Sequence, residues 1–201
     1  MAPRRKSSSM QEEFPVDVVE NIVDGAAVLT DCVPSKTLIA TADYLGGIET
    51  ASDLGVHLED HEGDVATETV AELAAINARV LNLAAAQSAD ITARLEEVGV
   101  RVVSGTGRLT SPSTVTVETD AGSEDIEADV VLVSTGATPR VLPTAQPDGE
   151  RILTWTQVYA LTELPEKLIV VGSGVTGAEF ASAYDALGAE VVLVSSRDRV
   201  L

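Results

Sequence analysis

Cysteine is nearly absent from this chain of 201 residues, which contains a single one, Cys32. One cysteine excludes an internal disulfide and any metal site built from cysteine alone. Histidine is almost as scarce, and His57 and His61 stand four residues apart in an acidic stretch. That spacing could hold a metal ion, but a solvated acidic loop or helix end is the simpler interpretation. We therefore expect no metal site.

Basic residues are also few, with 13 Lys and Arg against 32 Asp and Glu and a formal net charge of -19. Such a field repels nucleic acid and anionic lipid, so we expect no nucleic-acid partner and no membrane partner. No apolar run approaches the ~20 residues that span a bilayer. The basic start of the chain is not followed by the apolar segment of a secretory signal. These features predict a cytoplasmic protein with a disordered tail over residues 1–15.

Aromatic residues make up only 3% of the chain, although 45% of it is hydrophobic. This content is enough for a core and argues against general disorder. The apolar residues are mainly Ala, Val and Leu, whose small side chains let helices lie close to a sheet. The composition thus favours an α/β protein with an aliphatic core.

Local patterns divide the first 150 residues into short strands and two helices. Residues 16–20 predict a strand, 21–30 a loop and 46–66 a surface connection, while Pro34 suits the first turn of a helix that opens at Cys32. Apolar residues at helical spacing predict a long helix over 70–98: Leu73, Ile76, Val80, Leu83, Ile91, Leu95 and Val98. Strands are predicted over 100–103, 114–118 and 126–133, the last buried on both faces around Val130. A connection over 139–150 and a short helix over 154–161 follow.

The most specific pattern begins at Leu168, where a buried strand leads into G-x-G-x-x-G and then a helix. Gly172 permits a tight turn, Gly174 lets the backbone approach a pyrophosphate, and Gly177 lets the helix pack on the strand. The amides of Val175 and Thr176 add to the positive end of the helix. With a second strand over 190–194, this pattern predicts the opening of a Rossmann dinucleotide site, although a glycine-rich turn without a ligand is the alternative.

The end of that second strand indicates which nucleotide would bind. NAD sites usually carry an acid there for the ribose 2′-hydroxyl, whereas this chain has Ser195, Ser196 and Arg197. Two hydroxyls and a guanidinium suit a 2′-phosphate, which favours NADPH over NADH. Arg197 could equally be an ordinary surface residue.

Three motifs in collinear order, over about residues 16–201, resemble the flavoprotein disulfide reductase family (pyridine nucleotide-disulfide oxidoreductases, lipoamide dehydrogenase-like). They are Cys-Val-Pro-Ser-Lys ending at Lys36, Ser-Thr-Gly-Ala-Thr-Pro beginning at Ser134, and the glycine turn at Gly172. The residues of the first and third motifs are most similar to those of the actinobacterial NAD(P)H quinone reductase branch. The resemblance implies a partial FAD-binding Rossmann-like domain over 16–145, followed by the first half of an NAD(P)-binding Rossmann domain over 146–201.

The resemblance also implies roles for individual residues. Lys36 matches a lysine near flavin N5 and Glu179 its ion-pair partner, although they could be an exposed helix lysine and a first-turn helix acid. The remaining positions that match FAD contacts are Glu20, Gly107, Thr135 and Gly136. The implied activity is transfer of hydride from NAD(P)H to FAD and on to a small, quinone-like electron acceptor.

Three departures from the family pattern limit this prediction. The family's redox disulfide has its second cysteine five positions earlier, where this chain has Ala27. Thiol–disulfide relay is therefore excluded, and Cys32 is expected to be a small buried residue. No glycine turn for the FAD pyrophosphate precedes residue 16, and the chain stops before the C-terminal domain through which such enzymes form homodimers.

These departures predict an internal piece of a longer enzyme that holds FAD weakly or not at all. A catalytically silent nucleotide-binding or interaction module is the alternative. A free-standing NAD(P) domain that never held flavin is disfavoured, because such a domain has no need of the motif that ends at Lys36.

Overall fold

The structure is a computed structural model that describes residues 17–20, 25–56, 71–136, 138–196 and 198. The predicted tail over residues 1–15, His57, His61 and Arg197 lie outside the described residues. The chain divides into two units, Met1–Ala26 with Ala85–Ala137 and Ala27–Ala84 with Thr138–Leu201.

Four α-helices and seven strands make up the described regular structure. The helices are α1 (Gly25–Leu29), α2 (Cys32–Glu49), α3 (Leu73–Glu97) and α4 (Val175–Ala186), with 3-10 turns at Ala51–Leu54 and Gln157–Ala160. The strands are β1 (Asp17–Glu20), β2 (Arg101–Ser104), β3 (Thr106–Ser111), β4 (Thr114–Thr119), β5 (Gly122–Glu127), β6 (Lys167–Val171) and β7 (Glu190–Val194). The mixture confirms the predicted α/β class.

The first unit combines a parallel strand pair with an antiparallel meander. β1 runs parallel to β2, with Asp17 opposite Arg101, and β3, β4 and β5 pair in chain order. The guanidinium of Arg101 donates to Asp17 at 2.9 Å and to Glu124 at 3.2 Å. Val117 is fully buried in the meander. This one arginine therefore links the parallel pair to the last strand of the meander.

The second unit is built around a strand–helix–strand segment. β6 and β7 are parallel neighbours joined by α4. Its core collects residues from α2, α3, the second 3-10 turn, α4 and the turn between α4 and β7: Leu38, Ala42, Leu73, Val80, Tyr159, Phe180, Ala183, Tyr184, Leu187 and Ala189. The amide of buried Asn77 donates to the carbonyl oxygen of Leu161 at 2.8 Å. This bond fixes the chain after the 3-10 turn against α3.

The strand before the glycine turn is covered on one face only, contrary to the expectation of a buried strand. Leu168 packs against the core, whereas Ile169 and Val171 are 59% and 67% exposed. Val192 and Val194 of β7 repeat this alternation. The reason is that side chains alternate across a strand and α4 packs against one of the two faces.

The predicted strand over 126–133 is wrong in its extent. β5 ends at Glu127, and the apolar run that follows has no regular structure, with Val130 85% and Leu132 88% exposed. The hairpin turn sets the register here, because pairing with β4 starts at Gly122 directly after it. No described strand pairs with the apolar run, and hydrophobicity alone does not supply the missing hydrogen bonds.

Other elements differ from the sequence expectation in smaller ways. A short helix occupies Gly25–Leu29 where a loop was predicted, and α2 runs on to Glu49 because glycines in its last turns are tolerated. β3 was missed because its polar sequence has no strand-like alternation and depends on pairing with β4. The predicted short helix over 154–161 is a 3-10 turn at Gln157–Ala160.

The long helix begins at Leu73, and Val70, where it was expected to begin, lies outside the described residues. Its buried positions are Leu73, Asn77, Val80 and Ala84. Leu83, assigned to the apolar stripe from spacing, is 44% exposed, and Val98 is 46% exposed. The stripe prediction is therefore right at Leu73, Ile76 and Val80, and wrong at Leu83 and Val98. Ile91 and Leu95 are half-buried.

Candidate functional site

The glycine turn has the geometry that its sequence predicts. Gly172 has φ +118°, a conformation that favours glycine. A Cβ at Gly177 would lie 1.9 Å from the carbonyl oxygen of Gly172, so only glycine fits there. A Cβ at Gly174 would meet nothing within 4 Å, which leaves open space in front of the backbone. The turn is therefore tightly packed at Gly177, against the Gly172 backbone, and has free space next to Gly174.

The start of α4 faces this open space with unused donors. Gly174 is the N-cap residue in an extended conformation and makes no side-chain cap. The first intrahelical bond runs from the amide of Ala178 to Gly174 at 2.9 Å, so the amides of Val175, Thr176 and Gly177 have no helical acceptor. Val175 is 61% exposed. Such an arrangement suits a pyrophosphate, whose charge complements the amides and the helix dipole.

The turn is joined to the end of β7 by two hydrogen bonds. The amide of Gly172 donates to the carbonyl oxygen of Val194 at 2.9 Å. The hydroxyls of Ser173 and Ser195 are 2.6 Å apart, and Ser173 is only 6% exposed. Ser196 is exposed beside them. The structure therefore brings two of the three predicted 2′-phosphate residues next to the turn.

Lys36 and Glu179 form an ion pair, as the resemblance implies. The ammonium of Lys36 on α2 donates to the carboxylate of Glu179 on α4. The lysine side chain is 59% exposed and that of the glutamate 18%. Glu179 is the fifth residue of α4, not a first-turn acid. Its placement opposite a cation across two helices explains the residue better than the helix dipole does.

The pKa values of the pair shift in the directions of mutual stabilisation. The hydrogen bond to Glu179, together with its charge, raises the pKa of Lys36 above the usual 10.5. Burial raises the pKa of Glu179, but the hydrogen bonds from Lys36 and Ser35 outweigh it and hold the value below 4.5. Both groups are therefore charged throughout the neutral range.

Ser35 is a site residue that sequence reasoning missed. It is 2% exposed, accepts a hydrogen bond from Lys36 at 3.4 Å and bonds to Glu179. The available signal was helical spacing, since Ser35 shares the buried face of α2 with Leu38 and Ala42. A hydroxyl on that face needs a polar partner, and the ion pair is that partner.

Cys32 is exposed, so the expectation of a small buried residue is wrong. It is the first residue of α2, and the buried face of that helix starts at Pro34 and Ser35 instead. Its side chain is therefore exposed to solvent.

The other residues that match FAD contacts belong to the first unit. Glu20 is the last residue of β1, and its side chain lies outside what is described. Gly107 lies where β3 passes close to β1, since a Cβ there would come within 3.1 Å of Val19. Thr135 and Gly136 are exposed and outside any strand. A larger residue at position 107 would therefore crowd the Val19 side chain.

Neither a metal-binding cluster nor a membrane-spanning helix occurs in the described part of the chain. No group of three or more His, Cys, Asp or Glu side chains there could hold a metal ion. None of the helices described is both long and apolar enough to cross a membrane.

Comparison with known proteins places these motifs in a family. The pyridine nucleotide-disulphide oxidoreductase pattern matches residues 6–201. The chain is 49% identical, over 203 residues, to the NAD(P)H dehydrogenase (quinone) of Mycobacterium tuberculosis, covering 97% of this chain and 40% of that protein. It is 34% identical, over 193 residues, to a dihydrolipoyl dehydrogenase of Zymomonas mobilis, with coverages of 95% and 40%. The chain thus spans about 40% of the length of these relatives.

Solved structures agree with the sequence comparison. The crystal structure of LpdA from Mycobacterium tuberculosis matches with a TM-score of 0.80 and 49% identity, covering 92% of this chain and 40% of that one. The flavoprotein disulfide reductase RclA from Escherichia coli matches with a TM-score of 0.72 at 20% identity, covering 95% of this chain and 39% of that one, which shows a shared fold. With the family pattern covering nearly the whole sequence, this chain belongs to the pyridine nucleotide-disulphide oxidoreductase family.

Proposed function

We propose that this chain is the nucleotide-handling part of an FAD-dependent NAD(P)H oxidoreductase that passes hydride from NAD(P)H to FAD and on to a quinone-like acceptor. The observation that carries the proposal is the double use of α4. Its N-terminus forms the glycine turn at Gly174, and two residues after Gly177 it supplies Glu179 to the ion pair with Lys36. One rigid helix thus connects a dinucleotide turn with the pair expected beside flavin.

The turn fits a pyridine nucleotide on its own geometry. The unused amides of α4 and the open space before Gly174 match a pyrophosphate. Local amides are needed because the net charge of the chain, -19, repels an anionic ligand. The bound nucleotide would supply the hydride, and the protein's part is to hold it at a fixed position relative to the flavin.

The ion pair supports a role beside a flavin. The Lys36 side chain is 59% exposed although Ser35 and Glu179 both bond to its ammonium, and we propose that the cation is available to a ligand that gains negative charge on reduction. Glu20, Gly107, Thr135 and Gly136 are proposed to contact the FAD nucleotide, within a domain over 16–145. Residues 146–201 are proposed to begin the NAD(P) domain.

NADPH is the proposed pyridine nucleotide. Ser195 and Ser196 follow β7 directly, where an acid would otherwise repel a 2′-phosphate. Arg197, which lies outside the described residues, adds a guanidinium suited to phosphate. The name of the Mycobacterium tuberculosis relative, NAD(P)H dehydrogenase (quinone), supports the quinone-like acceptor.

The electron path proposed here needs no thiol. Cys32 stands five residues after Ala27, and the chain has no second cysteine. A hydride passed through the flavin to a quinone requires none.

A second candidate is a nucleotide-binding module without turnover. Thr135 and Gly136 are exposed and outside any sheet, which favours weak FAD binding by this chain. A protein purified with stoichiometric yellow flavin would contradict that expectation.

The decisive experiment mixes the purified chain with FAD, NADPH and a soluble benzoquinone and follows loss of the reduced-nicotinamide absorbance. Turnover retained in Cys32→Ser and greatly reduced in Lys36→Met supports the oxidoreductase. NADPH binding without turnover supports the second candidate. Absence of both overturns the assignment of the turn to a pyridine nucleotide.

A further inference from the structure

A partly buried pair of hydroxyls joins two places that a dinucleotide would occupy together. Ser173 lies within the glycine turn and Ser195 follows the last residue of β7. Their oxygens are 2.6 Å apart, and Ser173 is 6% exposed. Ser173 is the variable residue between two required glycines, so no motif demands a serine there.

A hydrogen bond between backbone atoms also joins the same two segments. The amide of Gly172 bonds to the carbonyl of Val194 at 2.9 Å, one residue before each serine. Ser173 and Ser195 lie beyond the ends of β6 and β7. Their contact therefore holds together residues that the backbone hydrogen bonds between the two strands no longer connect.

We propose that Ser173 is a positioning residue which, through Ser195, holds the pyrophosphate turn and the ribose end of β7 at a fixed separation. In a Rossmann site the pyrophosphate lies on the turn and the adenosine ribose at the end of the second strand. A ligand that spans both places gains from having them set before it binds. This inference rests on the proposed function, because it assumes a dinucleotide at the turn.

The two serines act through one shared contact. Either hydroxyl can be its donor, because a hydroxyl both donates and accepts. Removing either hydroxyl loosens the same link, and the effects of the two removals should not add.

The test measures NADPH binding by the purified chain and by Ser173→Ala, Ser195→Ala and the double variant. We expect each single change to weaken binding at least about threefold, the effect of one hydrogen bond, and the double variant to bind no more weakly than Ser195→Ala, which also loses the proposed contact to the 2′-phosphate. Ser195→Thr keeps a hydroxyl and should bind like the wild type. Ser182→Ala, an exposed serine of α4, is the matched control and should change nothing.

Inorganic pyrophosphate separates positioning from general damage to the site. It contacts the turn alone, so its competition with NADPH should give the same pyrophosphate affinity in Ser173→Ala as in the wild type. An equal loss of pyrophosphate and NADPH affinity, additive effects, or no effect of either change on NADPH would each overturn the proposal.

Amide hydrogen exchange provides a readout that needs no nucleotide. Exchange at residues 172–174 and 195–196 should be faster in Ser173→Ala than in the wild type. In Ser195→Thr, which keeps the hydroxyl, it should equal that of the wild type. Unchanged exchange overturns the proposed link whether or not NADPH binds. Wild-type protein that binds no NADPH while exchange responds as expected would contradict the proposed function but leave the link in place.

Discussion

Lys36 and Glu179 are separated by 143 residues in sequence, yet the ammonium of one donates a hydrogen bond to the carboxylate of the other. Each is the fifth residue of its helix, α2 and α4 respectively. The N-terminal ends of two helices therefore meet at this pair. Because both residues lie beyond the first turn, the carboxylate is stabilised by the lysine ammonium and the Ser35 hydroxyl and not by the helix dipoles.

The ion pair should make stability depend on pH at both ends of the scale. The lowered pKa of Glu179 means that its contribution is present above pH 4.5 and is lost as pH falls through the lower folded value. The raised pKa of Lys36 means that its contribution is present below pH 10.5 and is lost as pH rises through the higher folded value. Glu179→Gln should thus lower the free energy of unfolding at pH 7, by about 1 kcal/mol or less because the lysine is exposed.

Urea unfolding followed by fluorescence of Trp155, the only tryptophan, measures this difference. The gap between wild type and Glu179→Gln should close in acid. Glu190→Gln removes the partner of Lys167, a more exposed pair at 2.5 Å in the same unit, and should cost less. Should the difference in unfolding free energy between wild type and Glu179→Gln instead stay constant from pH 3 to pH 7, a range that includes ordinary carboxyl pKa values of roughly 4, the ion pair would be ruled out as its source.

Gly177→Ala should destabilise the chain and abolish nucleotide binding. The added Cβ would lie 1.9 Å from a backbone oxygen, which no side-chain movement can relieve. Gly46→Ala is the matched control, because a Cβ there in α2 meets nothing within 4 Å. In a helix interior alanine is favoured over glycine by up to about 1 kcal/mol. Thermal unfolding should therefore shift in opposite directions for the two variants, and a similar melting temperature for both would contradict the turn geometry.

The parts of the fold that sequence predicted well are those where local chemistry decides. The glycine turn is one, since Gly172 and Gly177 are dictated by backbone conformation and a backbone contact. The helix opening at Cys32, indicated by Pro34 in its first turn, and the first turns of α3, whose buried face apolar spacing indicates, are others. The Lys36–Glu179 pair needed the family resemblance, since no spacing rule connects residues so distant in sequence.

The errors arose where tertiary pairing decides. The apolar run at Val130 has strand-forming residues but no described partner strand, while polar β3 forms because β4 lies beside it. Ser173 and Ser195 escaped notice as a pair for the same reason, because their contact follows from the register of β6 against β7. Cys32 was assigned to the interior from its residue type, although helix rotation places it outside.

Tyr184→Phe should leave stability unchanged or raise it by up to about 1 kcal/mol. The Tyr184 hydroxyl is buried and has no hydrogen-bond partner among the described residues, so its removal relieves a desolvation cost.

Burial raises the pKa of Tyr184 to about 12, and burial with the charges of Asp31 and Glu179 raises the pKa of Tyr159. Because the raised values favour the neutral phenols, the fold should lose stability as pH rises above about 10.

Alkaline absorbance titration of phenolate, run beside urea unfolding, measures both effects. Tyr44→Phe, at a residue 74% exposed, is the control and should not change the alkaline loss of stability. A destabilisation of Tyr184→Phe by more than about 1 kcal/mol would indicate that the hydroxyl has a hydrogen-bond partner.

Leu132→Glu should reduce binding of an apolar fluorescent dye and self-association without destabilising the chain. Leu132 is 88% exposed within the apolar run that follows β5, and a contiguous exposed apolar patch promotes association. Glutamate is chosen because it adds to the negative charge that keeps the chain apart from its copies. Its effect on the free energy of unfolding should stay within about 0.5 kcal/mol, as at ordinary surface positions.

Val117→Glu, at a fully buried residue of β4, should by contrast cost more than about 3 kcal/mol, because it buries an unpaired charge. Were Leu132→Glu to cost as much as Val117→Glu, the run would have to be packed in solution, and the exposed conformation of residues 130–133 would be wrong.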